Sequence, residues 1–99
     1  MELIPKEHTI PTLYSTEEEN DPLCQLKLFT PDAQWFWYII EMDEHQELCF
    51  GYVIGLENEL GYFTMHDIGS VRGALNLAVE CDMSFTPTRL SQVKRVHHG

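Results

Sequence analysis

Histidine and cysteine are the residues of this sequence best suited to metal binding or covalent chemistry. The chain contains five histidines and three cysteines: His8, His45, His66, His97, His98, Cys24, Cys49 and Cys81. None of them falls in a HExxH, CxxC or GxSxG pattern, and no glycine-rich loop carries the lysine of a phosphate-binding loop. We therefore expect no catalytic residue, no metal ligand and no cofactor, and a protein that is not an enzyme. One alternative is a small hydrolase whose site the fold assembles from His66, Asp67 and Arg72.

The cysteines argue for a reduced interior. Their number is odd, which is untypical of a disulfide framework, and they lack the spacing of a zinc site. Each lies in an apolar segment, so we interpret all three as core thiols.

Carboxylates are the most abundant charged groups. With 16 acidic and 6 basic residues, the formal net charge is −10. A chain this acidic is repelled by nucleic acid and by anionic membranes, so we expect neither as a direct partner, and a basic protein surface instead. The longest apolar run, residues 35–40, is far shorter than the roughly 18 residues that cross a bilayer. Since residues 1–15 carry no secretory signal, we expect a cytoplasmic protein. We also expect a monomer.

Hydrophobic periodicity predicts the elements that position these groups. Alternating apolar residues, or short apolar runs bounded by turn residues, are typical of strands; they occur at 24–29, 35–42, 48–57, 60–65 and 79–85. A short helix is predicted at 66–73, where Thr64 and Asp67 are spaced as a capping pair. Short reversals indicate antiparallel neighbours. The predicted fold class is α+β: a single small domain over residues 1–99, a mainly antiparallel sheet of four to five strands, one or two short helices, and a flexible basic tail at about 94–99.

The stretch FGYVIGLENELGYF, residues 50–63, predicts a hairpin in which glycines alternate with large side chains. A two-residue loop at Asn58 and Glu59 would place Leu56 opposite Gly61. Tyr62 would then lie across from Gly55 and cover the gap that a glycine leaves in a sheet. We interpret this hairpin as the centre of the fold rather than as a ligand site.

Four consecutive aromatic residues, Trp35 to Tyr38, occupy the second predicted strand. Side chains alternate along a strand, so two of these rings face each side of the sheet. One face packs the core. The other is either covered by the N-terminal segment or the tail, as we expect for a monomer, or open as a protein-binding patch.

Eight carboxylates are predicted to gather at one end of the sheet. Successive reversals of an antiparallel meander alternate between its two ends, so the loop at 15–21 and the reversal at 43–47 share one end. The carboxylates placed there are Glu17, Glu18, Glu19, Asp21, Glu41, Asp43, Glu44 and Glu47. Loops are also acidic for solubility alone, but such a cluster can present spaced negative charge to a basic channel, as a phosphate backbone does. We predict partner binding at these residues.

Several segments also resemble a known family. KLFTPDAQWFWY, FGYVIGLENELGYF, SVRG and VECDMSFTP followed by LS are similar to the domain of unknown function 2958. The resemblance runs from about Leu3 to Val93, nearly the whole chain. It implies an accessory role on mobile genetic elements such as plasmids, phages and integrative elements, and it supplies no catalytic residues.

Two functions follow as hypotheses. The first is an anti-defence inhibitor, an anti-CRISPR protein that binds a nuclease of the Cas9 type as a DNA mimic, because such enzymes hold nucleic acid in basic channels. The alternative is a non-enzymatic binding module in plasmid or phage maintenance, which docks another protein through the aromatic sheet face. Binding by mimicry should weaken steeply with ionic strength, whereas aromatic docking should not.

Overall fold

A computed structural model describes Ile4 and residues 9–98 of the chain. Within these residues the chain forms seven strands and two helices. In chain order they are β1 (Leu23–Cys24), β2 (Leu26–Phe29), β3 (Phe36–Met42), β4 (Leu48–Ile54), β5 (Asn58–Thr64), α1 (Met65–Ser70), β6 (Glu80–Cys81), β7 (Thr88–Arg89) and α2 (Leu90–His98). The α+β fold class is confirmed, with an antiparallel sheet and short helices.

The main sheet is antiparallel, with five strands in the order β5-β4-β3-β2-β6 among the residues described. β2 to β5 form a meander, and β6 returns to pair with β2. β1 leaves this sheet and pairs with β7 in a separate ribbon. The strand predicted at 24–29 is therefore divided at Gln25. The alternation that predicted it is confirmed, since Cys24, Leu26 and Leu28 are all buried.

Both faces of the central strand β3 are covered. One face carries a core that contains Trp37 and, from α1, Ile68. The opposite face carries a second core that contains Tyr38 and, from α2, Leu90. Because Trp37 and Tyr38 are only 5% and 3% exposed, coverage of both faces is confirmed, and the alternative of an open aromatic face on this strand is wrong. The physical reason is α2, whose apolar side packs where an open face was considered.

The β4–β5 hairpin differs from the prediction in loop and register. β4 ends at Ile54, which pairs with Asn58, so the loop consists of residues 55–57 rather than 58–59. Tyr62 consequently lies opposite Phe50 and not opposite a glycine.

The three glycines of this hairpin, Gly51, Gly55 and Gly61, have different surroundings. A Cβ on Gly51 would overlap the Tyr38 carbonyl oxygen of the neighbouring strand, and a Cβ on Gly55 would overlap the ring of Trp35. The aromatic cover predicted for Gly55 therefore exists, but Trp35 supplies it. A Cβ on Gly61 would meet nothing within 4 Å.

β6 is shorter than the strand predicted at 79–85. It comprises only Glu80–Cys81, because the chain turns at Asp82, whose carboxylate accepts hydrogen bonds from the Ser84 N–H and hydroxyl. Met83, within the predicted strand but beyond β6, is 73% exposed.

α1 begins with the predicted capping pair. The Thr64 hydroxyl accepts a hydrogen bond from the Asp67 N–H at 3.1 Å. The helix spans Met65–Ser70 rather than 66–73, and Val71 after it is extended.

The basic C-terminal segment forms α2. The part expected to be a flexible tail, at about 94–99, is helical as far as His98; Gly99 lies outside the described residues. Leu90 and Val93 are buried against the sheet, and this apolar contact stabilises the helix. No helix within the described ranges is long and apolar enough to cross a membrane.

Candidate protein-binding groove

The predicted acidic end of the sheet lies where the segment before β1 meets the end of β3. This segment folds into successive turns, in which the N–H groups of Ser15, Glu17 and Glu19 donate to carbonyls three residues earlier. The Met42 N–H donates to the Pro11 carbonyl at 2.9 Å and ties the segment to the sheet. The structure thus brings the 15–21 loop and the end of β3 together.

Glu41 holds these turns in place. Its side chain is 2% exposed. Its carboxylate accepts hydrogen bonds from the Tyr14 N–H at 2.7 Å, from the Thr16 N–H at 2.8 Å, and from the Thr16 hydroxyl. Such partners are what a buried carboxylate requires, because its desolvation is otherwise costly. Glu41 is therefore an internal anchor rather than a charge presented to a partner.

A β-bulge in β3 directs Glu41 to this side of the sheet. The register shifts between Ile39 and Glu41, so that Glu41 pairs with Phe50. Phe50 in turn pairs with Tyr62 of β5. Paired residues point to the same face, so Glu41, Phe50 and Tyr62 form a row across three strands. In a regular register Ile40 would pair with Phe50, and Glu41 would pair with Cys49 and point to the opposite face.

The β3–β4 reversal uses two more of the predicted carboxylates internally. Asp43 Oδ1 accepts hydrogen bonds from the N–H groups of Glu47 at 2.7 Å and Leu48 at 3.1 Å, and so closes the turn. Glu47 Oε1 accepts from the His66 N–H at 2.9 Å in the first turn of α1. A negative charge is favourable there, since helix N-termini carry partial positive charge.

Asp21 caps the other helix from a distant segment. Its Oδ1 accepts the Ser91 N–H at 2.8 Å, and its Oδ2 accepts the Ser91 hydroxyl at 2.6 Å. These hydrogen bonds, helped by the nearby charges of Arg89 and Lys94, lower the pKa of Asp21 below its ordinary value of 3.8. Four of the eight predicted carboxylates therefore have internal roles in the structure.

The remaining four, Glu17, Glu18, Glu19 and Glu44, are exposed. In the part of the chain that the structure describes, the side chains of the first three make no hydrogen bond or ion pair. Glu44 lies 3.5 Å from His45 Nε2, in a solvent-exposed pair of the kind that contributes little stability. These four side chains carry the charge that is available to a partner.

Next to Glu17 and Glu19 the surface opens into a groove of about 410 Å³. We call it the acidic groove; its walls include Glu17, Glu19, Phe50, Leu60, Tyr62 and Leu90. Carboxylates from the turns thus stand beside apolar side chains from β4, β5 and α2. The groove combines negative charge with a surface that can bury apolar groups.

The rings of Phe50 and Tyr62 line the acidic groove, and Tyr14 lies beside Tyr62. The ring centroid of Tyr62 lies 5.0 Å from that of Phe50 and 6.3 Å from that of Tyr14. Tyr62 and Tyr14 are 53% and 57% exposed. Partial desolvation raises the pKa of Tyr62, as do the neighbouring Tyr14, Glu41 and Glu17. The negative charge that opposes ionisation of this phenol also attracts a cation.

Tyr14 adopts an unusual backbone conformation. Its φ is 69°, in the left-handed region that bulky residues rarely occupy, at a cost of about 1–3 kcal/mol. The hydrogen bond from its N–H to Glu41 helps to offset this cost. The ring of Tyr14 is exposed and lies beside Tyr62, next to the acidic groove.

Tyr14, Leu60 and Tyr62 were not predicted as site residues. The wrong hairpin register assigned Tyr62 to cover a glycine, so its exposure was not foreseen. A usable signal was the order of the strands, because the strand at 60–65 is followed by a helix and forms a sheet edge. Large side chains on an edge strand are candidates for binding.

The structure also places the histidines and cysteines. Among Ile4 and residues 9–98, no three His, Cys, Asp or Glu side chains lie together as a metal site. His97 Nε2 lies 2.6 Å from the Tyr38 hydroxyl oxygen. Burial raises the pKa of Cys24 and Cys49 to about 12, so neither thiol is readily ionised.

A family model matches nearly the whole chain. It is described as Protein of unknown function (DUF2958) and covers residues 4–96. Neither a curated protein nor a solved structure matches the chain significantly. The matched residues include the main sheet, the apolar residues of both helices and every wall of the acidic groove. Because the match covers nearly the whole chain, the chain belongs to the DUF2958 family of proteins of unknown function.

Proposed function

We propose that this protein acts by binding another protein, without catalysing a reaction, and that the acidic groove is its docking surface. One observation supports this best: two half-exposed tyrosine rings stand beside carboxylates that have no internal partner in the described residues. Exposed rings supply contact area, and the groove can bury side chains of a partner.

The partner surface should be basic and should carry arginine or lysine. Glu17 and Glu19 attract cations, and a carboxylate can pair with an arginine through two parallel hydrogen bonds. The faces of Tyr14 and Tyr62 add a cation–π contribution when a cation lies over them. The net charge of −10 extends this attraction beyond the groove and speeds encounter with a basic protein.

The most specific form of the proposal is an anti-defence role, as an inhibitor of a CRISPR nuclease of the Cas9 type. Such nucleases hold guide and target in positively charged channels and read a short duplex motif with arginines, which is the required surface chemistry. DNA mimicry would rest on the exposed carboxylates Glu17, Glu18, Glu19 and Glu44. The other four predicted carboxylates accept hydrogen bonds within the protein.

A cleavage assay with a purified nuclease–guide complex tests this form. We expect the protein to protect target DNA, and protection to fall as the salt concentration rises. Glu19→Lys should abolish protection. Glu80→Lys makes the same charge change at an exposed position outside the groove and should retain it. No protection at any salt concentration, or equal loss in both variants, would rule out groove-mediated inhibition of this nuclease.

The exposed rings favour a second candidate, a binding module in plasmid or phage maintenance that docks by aromatic contacts. The surface would be Tyr62 of the acidic groove and the adjacent Tyr14, since the aromatic residues of β3 are covered. In this case Tyr62→Ala should weaken binding about tenfold or more, and affinity should change little with salt. A steep salt dependence would exclude this candidate.

A further inference from the structure

β5 leaves one edge of the main sheet open. Among the described residues it pairs with β4 alone. The strand is seven residues long, Asn58–Thr64, and all of its residues are exposed or half-buried. Its sequence NELGYFT contains neither proline nor lysine, the residues with which proteins commonly block an edge strand. This edge can accept a further strand.

Hydrogen bonds identify the backbone groups that face outward. The Met65 N–H donates to the Glu47 carbonyl at 2.8 Å, so the backbone of Met65 faces β4. The direction alternates along an antiparallel ladder. The N–H and C=O of Gly61 therefore face β4, whereas those of Leu60 and Tyr62 face away from the sheet.

The open edge and the acidic groove share residues. Leu60 and Tyr62, whose backbone groups face outward, are also walls of the groove. A strand added beside them would direct every second side chain to the face of the sheet that carries the groove. Backbone pairing would supply affinity, and the groove would select the side chains.

We propose that β5 takes up an extended segment of the partner as an added strand, and that this segment carries basic side chains at alternating positions. This inference rests on the proposed function, because it states how the partner of the acidic groove docks. Charge selects the occupant, because Glu17 and Glu19 line the groove. A second copy of the chain would bring the same carboxylates and a further net charge of −10 against this edge.

Amide hydrogen exchange followed by NMR tests the proposal. The probe is a synthetic peptide that alternates arginine and valine over the length of β5, added at up to about 1 mM. We expect exchange of the Leu60 and Tyr62 N–H groups to slow about tenfold or more. The Gly61 N–H, already bonded to β4, is the internal control and should change little. A peptide that alternates glutamate and valine should not bind.

A pair of variants separates backbone pairing from side-chain contact. Leu60→Pro and Leu60→Ala both remove the leucine side chain, but only proline removes the outward N–H, and it leaves the bonds to β4 intact. We expect Leu60→Pro to bind the arginine peptide about tenfold more weakly than Leu60→Ala. Circular dichroism verifies that both fold; if Leu60→Pro does not, the exchange experiment on the unchanged protein decides.

The outcomes are distinguishable. Peptide binding that shifts Tyr62 side-chain signals without slowing exchange overturns strand addition and leaves the acidic groove as a docking surface. Binding that Glu19→Lys does not weaken overturns the groove as well. Three other results would overturn the inference. They are no peptide binding at about 1 mM, equal binding of the arginine and glutamate peptides, and slow exchange of the Leu60 and Tyr62 N–H groups in a dimer without peptide.

Discussion

The buried carboxylate of Glu41 allows a direct test of how the acidic groove is built. Glu41→Gln keeps the size of the side chain but replaces one oxygen by an NH₂ group. Oε1 faces the Tyr14 N–H, and Oε2 faces the N–H and hydroxyl of Thr16. The single amide oxygen can serve only one of these sides. On the other side, the amide NH₂ would face a donor that loses its acceptor.

The expected loss follows from these contacts. A hydrogen bond to a charged acceptor contributes about 1.5–3 kcal/mol, and a donor left buried without a partner costs about 1–3 kcal/mol. Removal of a buried charge offsets part of this, because its desolvation is relieved. We expect Glu41→Gln to lower the free energy of unfolding by about 2–3 kcal/mol. For a domain of this size, that corresponds to a fall in Tm of roughly 10–20 °C.

Thermal and urea unfolding, followed by tryptophan fluorescence, measures this difference. Glu18→Gln is the matched control, because Glu18 is an exposed carboxylate in the same turns; it should change the free energy of unfolding by less than about 0.5 kcal/mol. Amide exchange should also accelerate at Tyr14 and Thr16 in Glu41→Gln. If the two variants unfold at the same temperature, Glu41 does not anchor the turns, and the explanation of how Tyr14 is held beside the groove is incorrect.

Three further predictions concern the paired glycines, the start of α2 and the thiols. Gly51→Ala should lower the free energy of unfolding by about 1–3 kcal/mol, because its Cβ would overlap a backbone carbonyl, whereas Gly61→Ala, in open space, should change it by less than about 1 kcal/mol; equal urea midpoints would contradict this packing. The pKa of Asp21 is lowered in the folded state. As the pH falls, Asp21 is therefore protonated in the unfolded chain before it is protonated in the folded one, so stability should fall as the pH drops below about 4. Ser91→Ala should flatten that dependence in melts at acidic pH, and an unchanged slope would refute the capping role. The half-buried Cys81 should be alkylated faster than Cys24 and Cys49, because burial raises the pKa of those two thiols to about 12. Mass spectrometry of the native protein identifies the labelled site. Faster labelling of Cys24 or Cys49 would contradict their burial in the core.

Local pattern was sufficient to predict strands β2 to β5 and their antiparallel arrangement, but not the ribbon of β1 and β7. The alternation of Leu26 and Leu28 with polar neighbours depends only on adjacent residues, and burial follows it. The cap formed by Thr64 and Asp67 is equally local, since the two residues are three positions apart. Such features depend on the geometry of one element and not on the rest of the fold.

The hairpin register could not be obtained in the same way. Loops at 58–59 and at 55–57 are both compatible with the sequence. The decisive contacts join different strands: Gly51 lies against the Tyr38 backbone, and Gly55 lies under Trp35. The bulge before Glu41 is likewise visible only once β3 and β4 are paired.

Composition and strand alternation were enough to predict that the protein is acidic and that its acidic loops share one end of the sheet, because charge is additive and strand direction alternates. Which carboxylates remain available to a partner depends on the folded structure. Glu17 and Glu41 are indistinguishable as sequence letters. Yet Glu41 is buried against N–H groups that lie 25 and 27 positions away, while Glu17 is exposed beside Tyr62. A carboxylate becomes an anchor or a binding group according to the donors that the fold brings to it, and those donors come from distant parts of the chain.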